Sequence, residues 1–370
     1  MEEAYLGQQD RNGSYQSPNK YKMYDSETLR LDSSKREIRL LRILPGAFVS
    51  PIYCELFRTS LDEKPDYKAL SYVWGDASDR RNIVVNSEHF SVTTNLELAL
   101  RRLRSRAGEN LFVLWADAVC INQDYHEEKA QQVAIMAEIY QKALVVLVHL
   151  GENGKDSDLV EQFLYDILDT DLDEASTTIH PEYYNMPPLQ DKCWAALSRF
   201  LERDWFRRTW VIQEFVLNNT VEVICGEWMV DGETLVEAVS KIARFTARYR
   251  GDVAATRANL IRALGETKSR YLKGDRPRLP SLIKSFHGTD AKEERDHLFA
   301  LLSLSEHGFH QNLIPEYGGV SNLCAGDIHG TSLIPPTPSK FYHWLDFIRR
   351  LRDALHGYLI WRPCKILNSY

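Results

Sequence analysis

Two runs of almost unbroken apolar residues, Leu111 to Trp115 and Leu144 to Leu150, constrain this chain more than any other feature. A strand that is apolar at successive positions has no polar face to give to water, so it must be covered on both sides, as strands in parallel sheets are. Between the runs, Val133, Met136, Tyr140 and Ala143 fall on one face of a helix that starts near Glu127. Strand, helix and strand predict a βαβ unit, and in such sheets ligands sit outside the carboxyl ends of the strands.

The pattern extends to both sides. Glu37 to Leu44, stopped by Pro45-Gly46, and Ile52 to Phe57 predict an antiparallel strand pair. Tyr67 to Val73 predicts a strand ending in the turn Trp74-Gly75-Asp76, which puts Trp74, Asp76 and Asp117 at the ligand edge. Ile83-Val-Val, Asn86-Ser87 and His89-Phe-Ser-Val predict a hairpin. Thr94 with Glu97 has the spacing of a capping box, and Leu96, Leu100 and Leu103 continue as a helix to about Arg106. Helices are also expected over 158–168, 193–201, 210–217, much of 232–272 and 296–304, with a strand over 221–225 closed by Gly226. The expected organisation is a flexible leader over 1–35, with order beginning near Glu37, and a main domain over 36–230. Its core motifs lie in 67–217, with an insertion or linker at about 152–191. A helical part follows over 231–317, then an atypical tail over 318–370.

Charge and composition exclude several functions. Lys and Arg number 45 against 52 Asp and Glu, a net charge of −7, so no overall basic field holds phosphate backbones and nucleic acid is not an expected partner. The mean hydropathy is −0.37, and the strongest apolar run, Leu144 to Val148, falls far short of the roughly 20 residues of a spanning helix. With acidic first residues and no signal-peptide pattern, the expected location is the cytoplasm, without a membrane span. Six cysteines stand singly with no C-x-x-C, which suits reduced, packed thiols.

The common chemical motifs are missing: no G-x-G-x-x-G, no phosphate-binding loop, no H-E-x-x-H and no G-x-S-x-G. Asp169 to Asp173 imitates the start of a calcium loop but has Glu174 where the loop needs Gly and His180 where it needs Glu. His297, His307 and His310 have no recognised metal-ligand spacing and read as surface or core residues, so no metal is expected. Cys120 has no motif partner for nucleophilic work and reads as packing. The cluster Arg101-Arg102-Leu-Arg-Ser-Arg106 reads as a solvated helix face, with docking of an acidic partner or a phosphate as the alternative.

Two stretches place polar groups among aromatics at strand or helix ends, where packing alone does not ask for them. One is Ala69-Leu-Ser-Tyr-Val-Trp-Gly-Asp76 together with Leu114-Trp-Ala-Asp-Ala-Val-Cys-Ile-Asn-Gln123; the other is Arg207-Arg-Thr-Trp-Val-Ile-Gln-Glu-Phe215. With Gln132 to Tyr140, Ile38-Arg-Leu-Leu and Arg295 to Leu302 running to Pro315-Glu-Tyr317, these stretches resemble the heterokaryon incompatibility (HET) domain of filamentous fungi over roughly 280 residues. The resemblance implies a cytosolic effector of non-self recognition and programmed cell death that self-associates and meets other incompatibility proteins. The alternative is a non-catalytic adaptor acting by protein association.

HET domains are in turn similar to Toll/interleukin-1 receptor (TIR) domains, some of which cleave NAD. That similarity implies a TIR-like α/β fold: a central, mostly parallel sheet flanked by helices, with an N-terminal β pair and a C-terminal helical extension. It also implies NAD as a candidate substrate, with no cofactor required. Glu214 stands four residues after Trp210, on one helical face, and matches the catalytic acid of the enzymatic TIR domains. Tyr72, Trp74, Asp76, Asp117 and Trp210 are the implied ligand-binding residues. The plainer reading makes Trp210 core, Asp117 a turn cap, and Glu214 a partner of Arg207 or Arg208.

Overall fold

In the computed structural model, which describes residues 23–108, 110–170, 180–246, 253–291 and 294–306, the two apolar runs become strands but not neighbours. The strands are β1 (Glu37–Ile43), β2 (Tyr53–Ser60), β3 (Lys68–Tyr72), β4 (Arg80–Val85), β5 (Glu88–Thr93), β6 (Phe112–Trp115), β7 (Val146–His149), β8 (Val221–Cys225) and β9 (Trp228–Asp231). They form one sheet in the order β5-β4-β2-β1-β6-β3-β7-β8-β9. The centre, β6-β3-β7-β8, is parallel throughout. The ladders of β1 with β2 and β6, β4 with β5, and β8 with β9 are antiparallel. The expected α/β class holds, with a mixed sheet that is parallel where it is buried deepest.

β3 therefore separates the apolar strands. In chain order the four central strands lie 2-1-3-4, a doubly wound arrangement whose connections leave β3 first to one side and then to the other. At the carboxyl ends of β3 and β7 the connections diverge, opening the crevice where such sheets bind ligands. The N-terminal pair belongs to the same sheet: β1 continues the centre through Leu41 opposite Leu114.

The helices cover both faces. They are α1 (Thr94–Ala107), α2 (Asp117–Cys120), α3 (His126–Lys142), α4 (Ser157–Leu168), α5 (Lys192–Leu201), α6 (Trp210–Val216), α7 (Gly232–Thr246), α8 (Val253–Leu272), α9 (Leu279–Ser285) and α10 (Glu294–Leu302). In α3, Met136, Ile139 and Tyr140 are buried, as the helical spacing requires. The stretch expected as an insertion contributes α4, whose Val160, Phe163, Leu164 and Ile167 are core residues. Among the described residues no helix is long and apolar enough to cross a membrane. The tail over 318–370 and the Pro315-Glu-Tyr317 motif lie outside the described residues.

Local expectations divide according to what competes with them. The hairpin turns at Asn86 and Ser87, both at positive φ (49° and 69°), and the Asn86 amide adds two hydrogen bonds to the Leu56 backbone. The capping box does not form. Thr93 is the N-cap and makes no side-chain cap, the Thr94 hydroxyl donates to Asp79 at 2.7 Å, and buried Glu97 pairs with Arg101 and Arg81. Two guanidinium partners outcompete one backbone N–H for a carboxylate. The arginine cluster is not a solvated face either: buried Arg104 donates to the carbonyls of Ala47, Ser50 and Pro51, and Arg102 binds Glu152 through both carboxylate oxygens.

Order begins before Glu37. Met23, Tyr24 and Leu29 are buried, and the Tyr24 hydroxyl donates to the Val119 carbonyl at 2.8 Å. The ring of Tyr24 lies 4.7 Å from the Arg39 guanidinium. Arg39, on β1, is fully buried and grips Glu128 of α3 with two bonds of 2.7 and 2.8 Å. Its other donors go to the carbonyls of Leu29 and Cys120. Short-range pattern could not announce segment 23–35, because it is held by a charge on a strand it precedes.

Two outcomes follow. Glu128→Ala leaves Arg39 charged and buried without its anion, and should cost about 3–5 kcal/mol, read as a lowered urea midpoint. Gly75 has φ +73°, and a Cβ there would stand 2.6 Å from the Asn95 amide nitrogen. Gly75→Val should therefore destabilise by about 1–3 kcal/mol, with Asn95→Ala relieving the clash but not the backbone strain in the same assay.

Candidate functional site

The site grows from the end of β3. Ser71 is a polar residue inside an apolar strand, fully buried, and needs partners. Its hydroxyl oxygen accepts from Trp205 Nε1 at 2.8 Å and its proton goes to Glu214 Oε2. Glu214 lies on α6, 4% exposed. It thus sits beneath the carboxyl edge and not in an open cleft. Burial pushes its pKa up to about 7, opposed by the Arg208 charge and the Ser71 hydrogen bond and reinforced by Asp117.

Tyr72 ends β3, and the chain reaches the surface only beyond it, at Trp74. The Tyr72 hydroxyl is buried, near Asp117 but without a hydrogen bond of good geometry. Burial first, and then the Asp117 charge, holds it protonated. Trp74 is 37% exposed, and its Nε1 donates to Asp117 Oδ2 at 2.9 Å. Asp117 opens α2 and takes the N–H of Ala118 on its other oxygen. The residue keeps some contact with solvent, yet protein crowds its carboxyl, and burial raises its pKa against Arg208 and the Trp74 N–H.

Arg208 is the cation of the group. Its guanidinium donates to the Tyr72 carbonyl, while Arg207 pairs with Asp290 at 2.9 Å, so neither arginine is the hydrogen-bond partner of Glu214. Tyr140 of α3, whose hydroxyl donates to the Leu70 carbonyl at 3.0 Å, lies within the field of Glu214, Asp117 and Arg208. On the neighbouring strand His149 is buried opposite Tyr72, with Nε2 unpartnered, and burial drives its pKa down to about 4.

Of the residues singled out by sequence, the structure gathers Tyr72, Trp74, Asp117 and Glu214 around Arg208. Asp76 is exposed and closes its own turn, accepting from Ser78 N and Oγ. Trp210 is half-buried and packs on the core. Sequence reasoning missed Ser71 and Trp205. The polar residue within an apolar strand was the available signal for Ser71; nothing local marks Trp205. Cys120 is fully buried, its sulfur accepting from Ala116 N, and burial pushes the thiol up to about 12. Among the described residues no group of three or more His, Cys, Asp or Glu suits a metal ion.

Chemically, the arrangement offers a surface indole, a crowded carboxyl on a half-buried residue and a buried carboxyl that exchanges its proton near neutrality. Below pH 4.5 Glu214 is protonated in folded and unfolded chains alike. Between 4.5 and about 7 only the folded chain keeps the proton, so stability falls as pH rises, and the full penalty stands above 7. Its size is on the order of 3 kcal/mol. Glu214→Gln should remove this slope, measured by urea unfolding at pH 5, 6, 7 and 8.

A match to a known family falls on the same residues. The family described as "Heterokaryon incompatibility protein (HET)" matches residues 67–214, a span holding Ser71, Tyr72, Trp74, Asp117, Trp205, Arg208 and Glu214. The chain is 30% identical over 259 residues to "Heterokaryon incompatibility protein 6, OR allele" of Neurospora crassa, an alignment covering 60% of this chain and 38% of that relative. The chain thus spans well under half the length of the curated relative it matches. No solved structure matches it, so the likeness to TIR domains has no structural neighbour behind it. Residues 67–214 of the chain thus match the model of the heterokaryon incompatibility (HET) domain family.

Proposed function

We propose that this chain acts in fungal heterokaryon incompatibility, as an effector that arrests growth or kills the cell after non-self recognition. The similarity over 259 residues to a heterokaryon incompatibility protein of N. crassa carries this reading. Its partners are further copies of itself and other incompatibility proteins, in the cytoplasm.

The geometry favours association as the way the domain delivers its effect. Glu214 is 4% exposed and its carboxyl is engaged by Ser71, so no ribose touches it unless the contacts of Ser71 and Trp205 open. Association needs no such opening, since Trp74 already stands at the surface on the turn fixed by Gly75. Cleavage of NAD is the second reading, and one observation favours it. A buried carboxyl with a pKa of about 7 beside a second carboxyl is the state in which active sites hold acids and bases. In that reading Trp74 stacks on a flat ring, Asp117 takes ribose hydroxyls, and Glu214 stabilises the positive charge that develops as nicotinamide leaves.

Induced expression of the full chain in a fungal host tests both, with colony extension, dye uptake and NAD content followed for wild type and Glu214→Gln. Growth arrest by both proteins at constant NAD is the expected result and supports association. Arrest with at least a tenfold fall in NAD, lost in Glu214→Gln, establishes cleavage instead. A wild-type chain that accumulates without slowing growth overturns the effector role.

A further inference from the structure

Thr209 joins the short turn Asp204–Arg207 to α6 and stands between Arg208 and Trp210. It is buried, and a segment well beyond residue 214 closes over it. The Thr209 N–H donates to the Asp290 carbonyl at 2.9 Å, and the Asp290 N–H returns to the Arg207 carbonyl at 2.5 Å. Arg208 and Asp290 are thereby bridged as a fragment of parallel sheet.

Side chains complete the clasp. Thr209 Oγ1 lies 3.0 Å from Thr289 Oγ1, 3.1 Å from the Asp290 carbonyl and 2.9 Å from His297 Nδ1 on α10. The Thr289 proton is directed to the Phe286 carbonyl, so Thr289 accepts from Thr209. The single proton of Thr209 is then spent on Thr289 and Asp290, and its oxygen must accept from His297, which assigns a proton to Nδ1.

Arg208 is the residue this clasp locates. Its charge opposes the raised pKa of both Asp117 and Glu214, and Coulomb energy in a crowded interior changes steeply with distance. We propose that His297 is a positioning residue of the site: by holding Thr209 from outside the matched segment, it fixes where Arg208 stands relative to Asp117 and Glu214. The inference rests on reading this cluster as the working site, but its test needs no ligand and no growth phenotype.

The test is the titration of Glu214 in the full chain by carbon-13 NMR of carboxyl-labelled glutamate, with the signal assigned through its absence in Glu214→Gln. The groups acting on this carboxyl are Arg208, Ser71 and Asp117, with Tyr140 packed beside them. His297→Leu should move the midpoint up by about one pH unit, tenfold in proton affinity, as Arg208 recedes. His297→Asn, whose amide N–H replaces Nδ1–H, should restore it. Thr209→Val keeps shape but loses the acceptor oxygen; it should reproduce the shift and serves if His297→Leu does not fold. An unchanged or lowered midpoint in either folded variant overturns the proposal. Failure of growth arrest or of NAD cleavage leaves this midpoint untouched, so the two readings fail separately.

Discussion

Arg39 lies on β1 with no contact with water, and its guanidinium is satisfied from three directions: the Leu29 carbonyl before the strand, the Cys120 carbonyl at the end of α2, and both oxygens of Glu128 on α3. Glu128 in turn accepts the Asn122 N–H at 2.7 Å. One buried ion pair thus ties the N-terminal segment, the sheet and the loop that follows β6. Buried pairs return little net stability against well-packed apolar groups; this one's consequence is register. The segment it holds begins with α2 at Asp117, so the geometry of the sheet's carboxyl edge depends on a charge placed two strands' width away from it.

At that edge the governing term is desolvation. Asp117 and Glu214 sit close enough to act on one another, and one arginine serves both. In water the pair would be ionised and unremarkable. With Ser71, itself held by Trp205, donating to Glu214, one carboxyl keeps its proton to about neutral pH while the other stays tied to an indole N–H. Two neighbouring carboxyls that both hold their protons more tightly because of burial are groups from which proton chemistry is built; an association surface can carry them as well, because the exposed part is the Trp74 turn.

The matched span ends at Glu214, yet the residues that brace its last motif are Thr289, Asp290 and His297. The physical unit is therefore larger than the matched span. α8 supports the same helix from behind, with buried Lys268 placing its ammonium 5.2 Å from the Phe215 ring.

Apolar runs, helical spacing and turn residues determined which stretches are strands and helices, because each reflects a period of a few residues: the β1–β2 pair, the Asn86-Ser87 hairpin, α3 and the burial of β6 and β7 were all legible in this way. Their place at strand ends pointed to Trp74 and Asp117, and the resemblance to TIR domains pointed to Glu214. What the sequence could not determine was decided by contacts between residues far apart in the chain. Strand order placed β3 between β6 and β7; Arg101 and Arg81 drew Glu97 away from its cap; Arg39 ordered residues 23–35. Ser71 and Trp205, separated by 134 positions, made Glu214 a buried group instead of a cleft residue. Local periodicity reports the face a residue must hide, and only the folded chain decides which partner is waiting there, since hydrogen bonds and charges are satisfied by proximity in space.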